Sequence, residues 1–240
     1  MVELKNITKT YRTRRGDVQA LRDVNLRIEK GEFVALCGPS GSGKTTLLMT
    51  VAAMLRPTAG TVCVEQRDLY AMSIRDRAEF RARNIGFVFQ MFHLVPYLNI
   101  VENVLLARHS PGGSPGRLGP LAGGPSAPGG RSEAPKRQAA EELLKRFGLA
   151  ERASHKPAEL SAGEKQRAAM ARALFNRPRI ILADEPTGNL DPANAESVLG
   201  HLSEFHRGGG TVIVATHGPA AGRFADRIVY LRNGGIEKAG

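Results

Sequence analysis

Apolar positions along this chain follow two periods. Near the start, Val2 and Leu4, then Val24, Leu26 and Ile28, alternate with polar neighbours, as strands do. Residues 1–30 are therefore expected to form an antiparallel layer. Short apolar runs at Glu32–Cys37, Ile85–Phe89, Arg179–Glu185 and Thr211–Thr216 read as buried strands, and 56–64 reads as a turn followed by another strand. Between them lie helical stretches. Leu47–Leu55 is stopped by Pro57; Ser73–Arg83 is highly charged; Ile100–Ala107 is apolar. Ala140, Leu143, Leu144 and Phe147 fall at i, i+3, i+4 and i+7, with Gly148 placed to end that helix. Ser161 with Glu164 three positions on is a capping-box pattern heading a helix to about Phe175, and Asn189–Pro192 turns into another. The chain closes with Ile228–Leu231, an Asn233-Gly234 turn and Ile236, a hairpin. Strands alternating with helices predict an α/β fold with a parallel sheet.

Two stretches break the periods. Met91–Leu98 is apolar and irregular, interrupted by Pro96. Residues 110–135 hold 8 Gly and 6 Pro in 26 positions, too many for a regular element. They read as a flexible surface insertion within a single domain spanning 1–240. Each doubling of loop length adds only about 0.6 kcal/mol of closure entropy.

Composition narrows the class. A hydrophobic share of 42% and a charged share of 24% belong to a globular chain. No apolar run is long enough to span a bilayer and Met1–Lys5 lacks a signal-peptide core, so a soluble, cytoplasmic chain is expected. Cys37 and Cys63 lie in apolar strands without metal-ligand spacing and read as reduced core thiols. The net charge of +11 is compatible with nucleic acid, an anionic surface or a solvated face. With 9 Phe, 4 Tyr and no Trp, aromatic residues do not interleave with basic ones as in single-strand binders.

The chemistry concentrates in Gly38-Pro39-Ser40-Gly41-Ser42-Gly43-Lys44-Thr45-Thr46, which fits G-x-x-x-x-G-K-[ST] between a strand and a helix. Such a turn points backbone N–H groups and a helix dipole at a polyphosphate. Lys44 is expected to reach the β- and γ-phosphates and Thr45 to offer its hydroxyl to Mg²⁺. Asp184 ends an apolar strand 140 positions after Lys44, where a Mg²⁺-shell carboxylate belongs; Glu185 follows, placed to take a proton from water. Gln90 and His217 stand at the ends of two further strands, the edge where α/β sheets present ligand-facing residues. Tyr11, by spacing alone, is a half-buried strand tyrosine.

This order of motifs resembles that of the ATP-binding-cassette (ABC) ATPases over nearly the whole chain. Gly38–Thr46 is similar to Walker A, Ile180–Glu185 to Walker B, Gln90 to the Q-loop and Leu160–Glu164 to the signature motif. Asn189–Asp191 is similar to the D-loop and His217 to the switch histidine. Tyr11 falls at the A-loop position. The resemblance implies a P-loop NTPase core with a parallel sheet, an N-terminal antiparallel β layer and a helical subdomain inserted at about 91–165. It implies ATP and Mg²⁺ as cofactors and a head-to-tail homodimer. In each site Tyr11 would stack on adenine; Gly38–Thr46 would hold the phosphates; Thr45, Gln90 and Asp184 would order the metal; Glu185 and His217, with Gln90, would serve hydrolysis. Ser161, Gly163 and Asp191 would come from the other copy.

Residues 85–90 and 187–191 are similar to the subfamily of lipoprotein-release, macrolide-export and cell-division ATPases. That likeness implies a membrane permease docking near Gln90–Leu98, and so a peripheral position on the inner face of the membrane. The 110–135 insertion departs from the subfamily pattern. Ala162 stands where the signature usually has Gly, a residue that resists positive φ. Glu164 replaces the commoner Gln, so its carboxylate must face away from any phosphate or be offset. A soluble ABC-type ATPase acting on nucleic acid or ribosomes is the alternative that the basic charge suggests. Coiled-coil heptads, zinc-ligand cysteines and a second cassette are missing from this sequence, which speaks against it.

Overall fold

The structure is a computed structural model and describes residues 1–14, 16–107, 134–217 and 219–237. Two sheets form its frame. The first is antiparallel, in the order β2-β1-β4-β5, from β1 (Val2–Thr13), β2 (Gly16–Ile28), β4 (Ala59–Val64) and the short β5 (Arg67–Asp68). The second has six strands in the order β10-β9-β3-β8-β7-β6. It comprises β3 (Phe33–Cys37), β6 (Ile85–Val88), β7 (Ile180–Asp184), β8 (Thr211–Thr216), β9 (Arg227–Arg232) and β10 (Gly235–Glu237). All its pairings are parallel except the closing β9–β10 hairpin. The expected N-terminal layer is therefore present, and it also recruits the strand after the first helix.

Strands β3, β6, β7 and β8 are buried on both faces, which is why the sequence shows runs there rather than alternation, whereas β9 alternates, with Val229 and Leu231 buried and Tyr230 and Arg232 exposed. Side chains still sort with period 2. Val34, Leu36, Leu182 and Ile213 face a core shared with the antiparallel sheet and with α1 (Lys44–Val51). Phe33, Ile181, Val212 and Val214 face a second core beneath α3 (Ile100–Leu105), α4 (Ala134–Arg146), α5 (Ala162–Leu174) and α6 (Pro192–Arg207). The remaining helix, α2 (Ile74–Asn84), is capped by Ser73 and leads into β6. Ile100, Val104, Leu144 and Met170 belong to the same core as the sheet.

Several boundaries differ from expectation. Helix α1 starts inside the glycine loop and stops at Val51, not near Leu55. Ala53 takes a left-handed φ of 59°, and the amides of Met54 and Leu55 both return to the Met49 carbonyl. The Tyr70 hydroxyl holds the carbonyls of Thr50 and Leu55, and Arg81 holds that of Ala53. These tertiary caps end the helix before Pro57 could. Strands β6 and β7 end one residue short, at Val88 and Asp184, and Arg179 precedes β7. Helix α4 already includes Ala134 and Pro135, taken above as insertion, because proline is tolerated in a first helical turn. The rest of that insertion, 110–133, lies outside the described residues. Cys37 and Cys63 are free thiols, but both are partly exposed at strand positions rather than enclosed in the core as expected.

Candidate active site

The parallel register brings four strand ends to one edge of the six-stranded sheet. Cys37 pairs with Thr216, Asp184 with Ala215, and Val88 with Ala183. The segments that leave those ends carry Gly38–Thr46, Glu185, His217 and Gln90. The motifs are scattered over 180 positions of sequence yet emerge side by side.

The glycine loop is shaped by close approach. A Cβ on Gly38 would stand 2.1 Å from the Leu231 carbonyl oxygen, and one on Gly43 2.4 Å from that of Ala20. Gly43 also has φ 105°, which L side chains avoid. The loop is thus pressed between β9 and β2, and α1 begins immediately at Lys44. Lys44 is 7% exposed; its ammonium donates to the carbonyls of Gly38 (2.7 Å) and Pro39 (3.2 Å). The Ser42 hydroxyl is buried and has no hydrogen-bond partner among the described residues. A cradle of unsubstituted backbone, a buried cation and an orphaned buried hydroxyl fit a polyphosphate.

Thr45 donates its hydroxyl to Asp184 Oδ1 at 3.1 Å, joining the helix start to the end of β7. Burial raises the Asp184 pKa above its ordinary value, and the Thr45 bond opposes that rise. A hydroxyl and a carboxylate are hard oxygen donors; phosphate oxygens and water would complete the octahedral set that Mg²⁺ requires.

Glu185 sits in a left-handed conformation, φ 44°, with its amide bonded to the Ala215 carbonyl. That backbone turn aims its carboxylate between two cationic or titratable groups. Lys44 Nζ lies 3.7 Å from Oε1 and His217 Nδ1 2.9 Å from Oε2. The histidine is 66% exposed while Glu185 is 13% exposed, so the pair spans the wall of the site and its mouth. The Gln90 amide lies against the loop after Glu185, with its nitrogen 3.5 Å from where a Gly188 Cβ would be.

Tyr11 is brought near but not into this group. It stands opposite Val18 in the β1–β2 ladder, two positions from Ala20, whose carbonyl touches Gly43. Its ring is 38% exposed, with the Lys9 ammonium 5.3 Å from its centroid. Tyr11 is thus somewhat more open than the half-buried strand tyrosine expected from spacing.

Ser161 caps α5 with a complete capping box, as its spacing predicts, and Asp191 caps α6. Both are exposed. Ala162 occupies the first helical position and is not among the left-handed residues, so the departure from Gly costs no backbone strain. Glu164 is offset as its charge requires. It accepts from the Ser161 amide (2.8 Å) and from Arg152 Nε (3.0 Å). Those bonds, the backbone one first, pull its pKa down to about 2.

Residues that the motifs do not reveal position these elements. Asn103 is fully buried and holds the 95–99 backbone: it accepts from the Val95 amide (2.7 Å) and donates to the carbonyls of Val95, Leu98 and Asn99. Arg172, near the end of α5, donates to the carbonyls of Phe92 (2.7 Å) and His93 (2.6 Å), both left-handed residues. The fully buried Gln166 donates to the Pro186 carbonyl at 2.8 Å.

A glycine-loop helix, a Thr–Asp pair and a Glu–His pair on one edge of a parallel sheet define a nucleoside triphosphatase of the P-loop class. The family model for ABC transporters matches residues 21–188, and the chain belongs to that family. It is 43% identical to the ABC transporter ATP-binding protein YvrO of Bacillus subtilis, over 98% of this chain and 94% of that one. It is 40% identical to the lipoprotein-releasing system ATP-binding protein LolD 2 of Caulobacter vibrioides, over 99% and 96%. Among solved structures, the dimeric post-hydrolysis state of the ATP-binding cassette MJ0796 of Methanocaldococcus jannaschii, bound to ADP and Pi, superposes with a TM-score of 0.85 at 38% identity. That match covers 100% of this chain and 98% of that one. The chain is an ATPase of this family, with the cassette fold its sequence implied.

Proposed function

We propose that the chain works as a head-to-tail homodimer that hydrolyses ATP in two composite sites and thereby drives a separate membrane permease. In each site one copy supplies Tyr11 for the adenine, Gly38–Thr46 for the phosphates, and Thr45, Asp184 and Gln90 for the Mg²⁺ shell. Mg²⁺, when bound, neutralises charge on the β- and γ-oxygens. Glu185 draws the proton from the attacking water, and His217 holds water and γ-phosphate in line. The other copy supplies the Ser161 hydroxyl, the Gly163 N–H and Asp191. The observation that carries this reading is the Lys44–Glu185–His217 chain: a mostly enclosed base, anchored 3.7 Å from the phosphate-loop lysine and 2.9 Å from an exposed histidine. The exposed caps Ser161 and Asp191, with no phosphate-binding loop of their own, support a contribution in trans.

The permease would dock on 91–98, where Met91 and Tyr97 are 67% and 72% exposed while the backbone is fixed by Asn103 and Arg172. Apolar side chains on a rigid frame suit a partner that must be moved. Residues 91–165 would then shift as a helical subdomain within the single 1–240 domain. No helix among the described residues is long and apolar enough to cross a membrane. In this reading the chain is held at the cytoplasmic face by its partner. The relatives named for lipoprotein release suggest a permease of that kind.

The test is a pull-down of tagged Glu185→Gln protein from detergent-solubilised membranes with ATP. A multi-span membrane protein is expected, lost when Met91 and Tyr97 are made Ser. Recovery of soluble proteins or nucleic acid alone would overturn the membrane role.

A further inference from the structure

We infer that Asn194 is the positioning residue that locks the signature helix to the D-loop, so that the two ATP sites of the dimer respond as one. This rests on the head-to-tail reading above.

Asn194 lies in the first turn of α6. Its Oδ1 accepts from an Arg167 guanidinium nitrogen on α5 at 2.9 Å, and its Nδ2 donates to Asp191 Oδ2 at 2.5 Å. An amide does both jobs at once. It accepts from a cation on one side and donates to a carboxylate on the other, which neither a carboxylate nor an alkyl chain can do. The packing is equally specific. A Cβ built on Gly163 would stand 2.2 Å from Asn194 Oδ1 and 2.4 Å from its Cγ. Gly163 is helical, so it is not needed for its φ; it is needed because the amide lies directly over it. The asparagine therefore touches both elements offered in trans, the Gly163 turn and Asp191.

The other end of the same segment is held as well. Gln166, one turn along α5, donates to the Pro186 carbonyl, the residue after Glu185. Helix α5 thus grips the 186–194 stretch at both ends. A shift of Glu185 in a protomer's own site passes through Pro186 and Asp191 to α5, whose first turn faces the partner's nucleotide. Asn194 touches no reacting atom; it carries the coupling.

The test uses the whole chain. Steady-state hydrolysis is measured against ATP concentration for wild type, Asn194→Ala and Asn194→Asp. ATP-driven dimerisation is followed by light scattering in the Glu185→Gln background. Affinity of the dilute monomer for a fluorescent ATP analogue and the Tm serve as controls. Asn194→Ala is expected to weaken dimerisation and lower kcat about tenfold, the effect of losing one charge-assisted bond. The Hill coefficient should fall toward one, with monomer affinity and Tm unchanged. Asn194→Asp, which keeps the acceptor for Arg167 but repels Asp191, should do the same.

A wild-type Hill coefficient of one, or unchanged cooperativity and dimerisation in Asn194→Ala, would overturn the coupling role. So would a loss accompanied by equal falls in Tm and monomer affinity. If the Glu185→Gln parent itself fails to dimerise with ATP, the head-to-tail reading falls, and this inference with it. If the parent dimerises and Asn194→Ala is indistinguishable from it, only the inference falls.

Discussion

Replacing Asn103 by Leu probes how the proposed docking segment keeps its shape. The two side chains are similar in size, so little cavity or overpacking arises. What changes is that the buried Leu98 carbonyl and the Val95 amide lose their side-chain partner. Each unpaired buried group costs about 1–3 kcal/mol. Apolar burial by leucine returns about 1–2 kcal/mol of that. The net loss should be about 2–3 kcal/mol, which for a chain of this size lowers Tm by roughly 5–10 °C. Thermal unfolding with a circular-dichroism readout measures it. Hydrolysis well below the transition should stay within about twofold of wild type, because the Lys44–Glu185–His217 chain does not involve this segment. Binding to the permease should be lost. Asn103→Asp sharpens the test, since it keeps an acceptor for Val95 but sets a carboxylate among three carbonyls. That raises the new group's folded pKa, so its variant should be relatively more stable at low pH and lose stability as pH rises. A Tm for Asn103→Leu within about 2 °C of wild type would refute the reasoning.

Other outcomes follow from the site. Lys44→Ala should abolish measurable ATP binding by calorimetry, while Glu185→Gln should keep binding and dimerisation and reduce turnover at least a hundredfold in a phosphate-release assay. Gly43→Ala should cost at least about 2 kcal/mol and weaken nucleotide affinity, since a positive φ and a 2.4 Å approach to the Ala20 carbonyl both oppose a methyl group. Glu164, whose folded pKa is lowered from 4.5 to about 2, contributes stability above pH 4.5 that is lost as pH falls toward 2. Glu164→Gln should flatten the acid limb of stability against pH. Chelation by EDTA should stop hydrolysis and restoration of Mg²⁺ should recover it.

The chemistry of this chain was legible because each part is written contiguously: a nine-residue phosphate loop, an apolar strand ending in two carboxylates, a capping box. The parallel sheet did the rest, since strand ends with the same direction must emerge on one edge. What could not be read were the polar hubs. Asn103, Gln166, Arg172 and Asn194 tie together segments 8, 20, 80 and 27 positions apart, and their partners are mostly backbone carbonyls or, for Asn194, two side chains. No local period marks such a residue, and an Asn in a helix pattern looks like a solvent-facing one. The end of α1 was misplaced for a related reason. Tyr70, its pKa raised to about 12 mainly by burial, stays a donor and caps a helix that propensity would continue. The offset of Glu164 was demanded by charge, but Arg152 as its partner was not foreseeable.

The Asn176 amide that clasps the Ala107 carbonyl has a practical consequence. Asn176 precedes β7, so α3 releases the chain at the amino end of the sheet, while nucleotide chemistry occupies the carboxyl end, about 16 Å away along a five-residue strand. A fluorescent reporter attached through a cysteine at position 107 would therefore sit about one strand length from the nucleotide edge, where it could follow the ATPase without touching its phosphate loop.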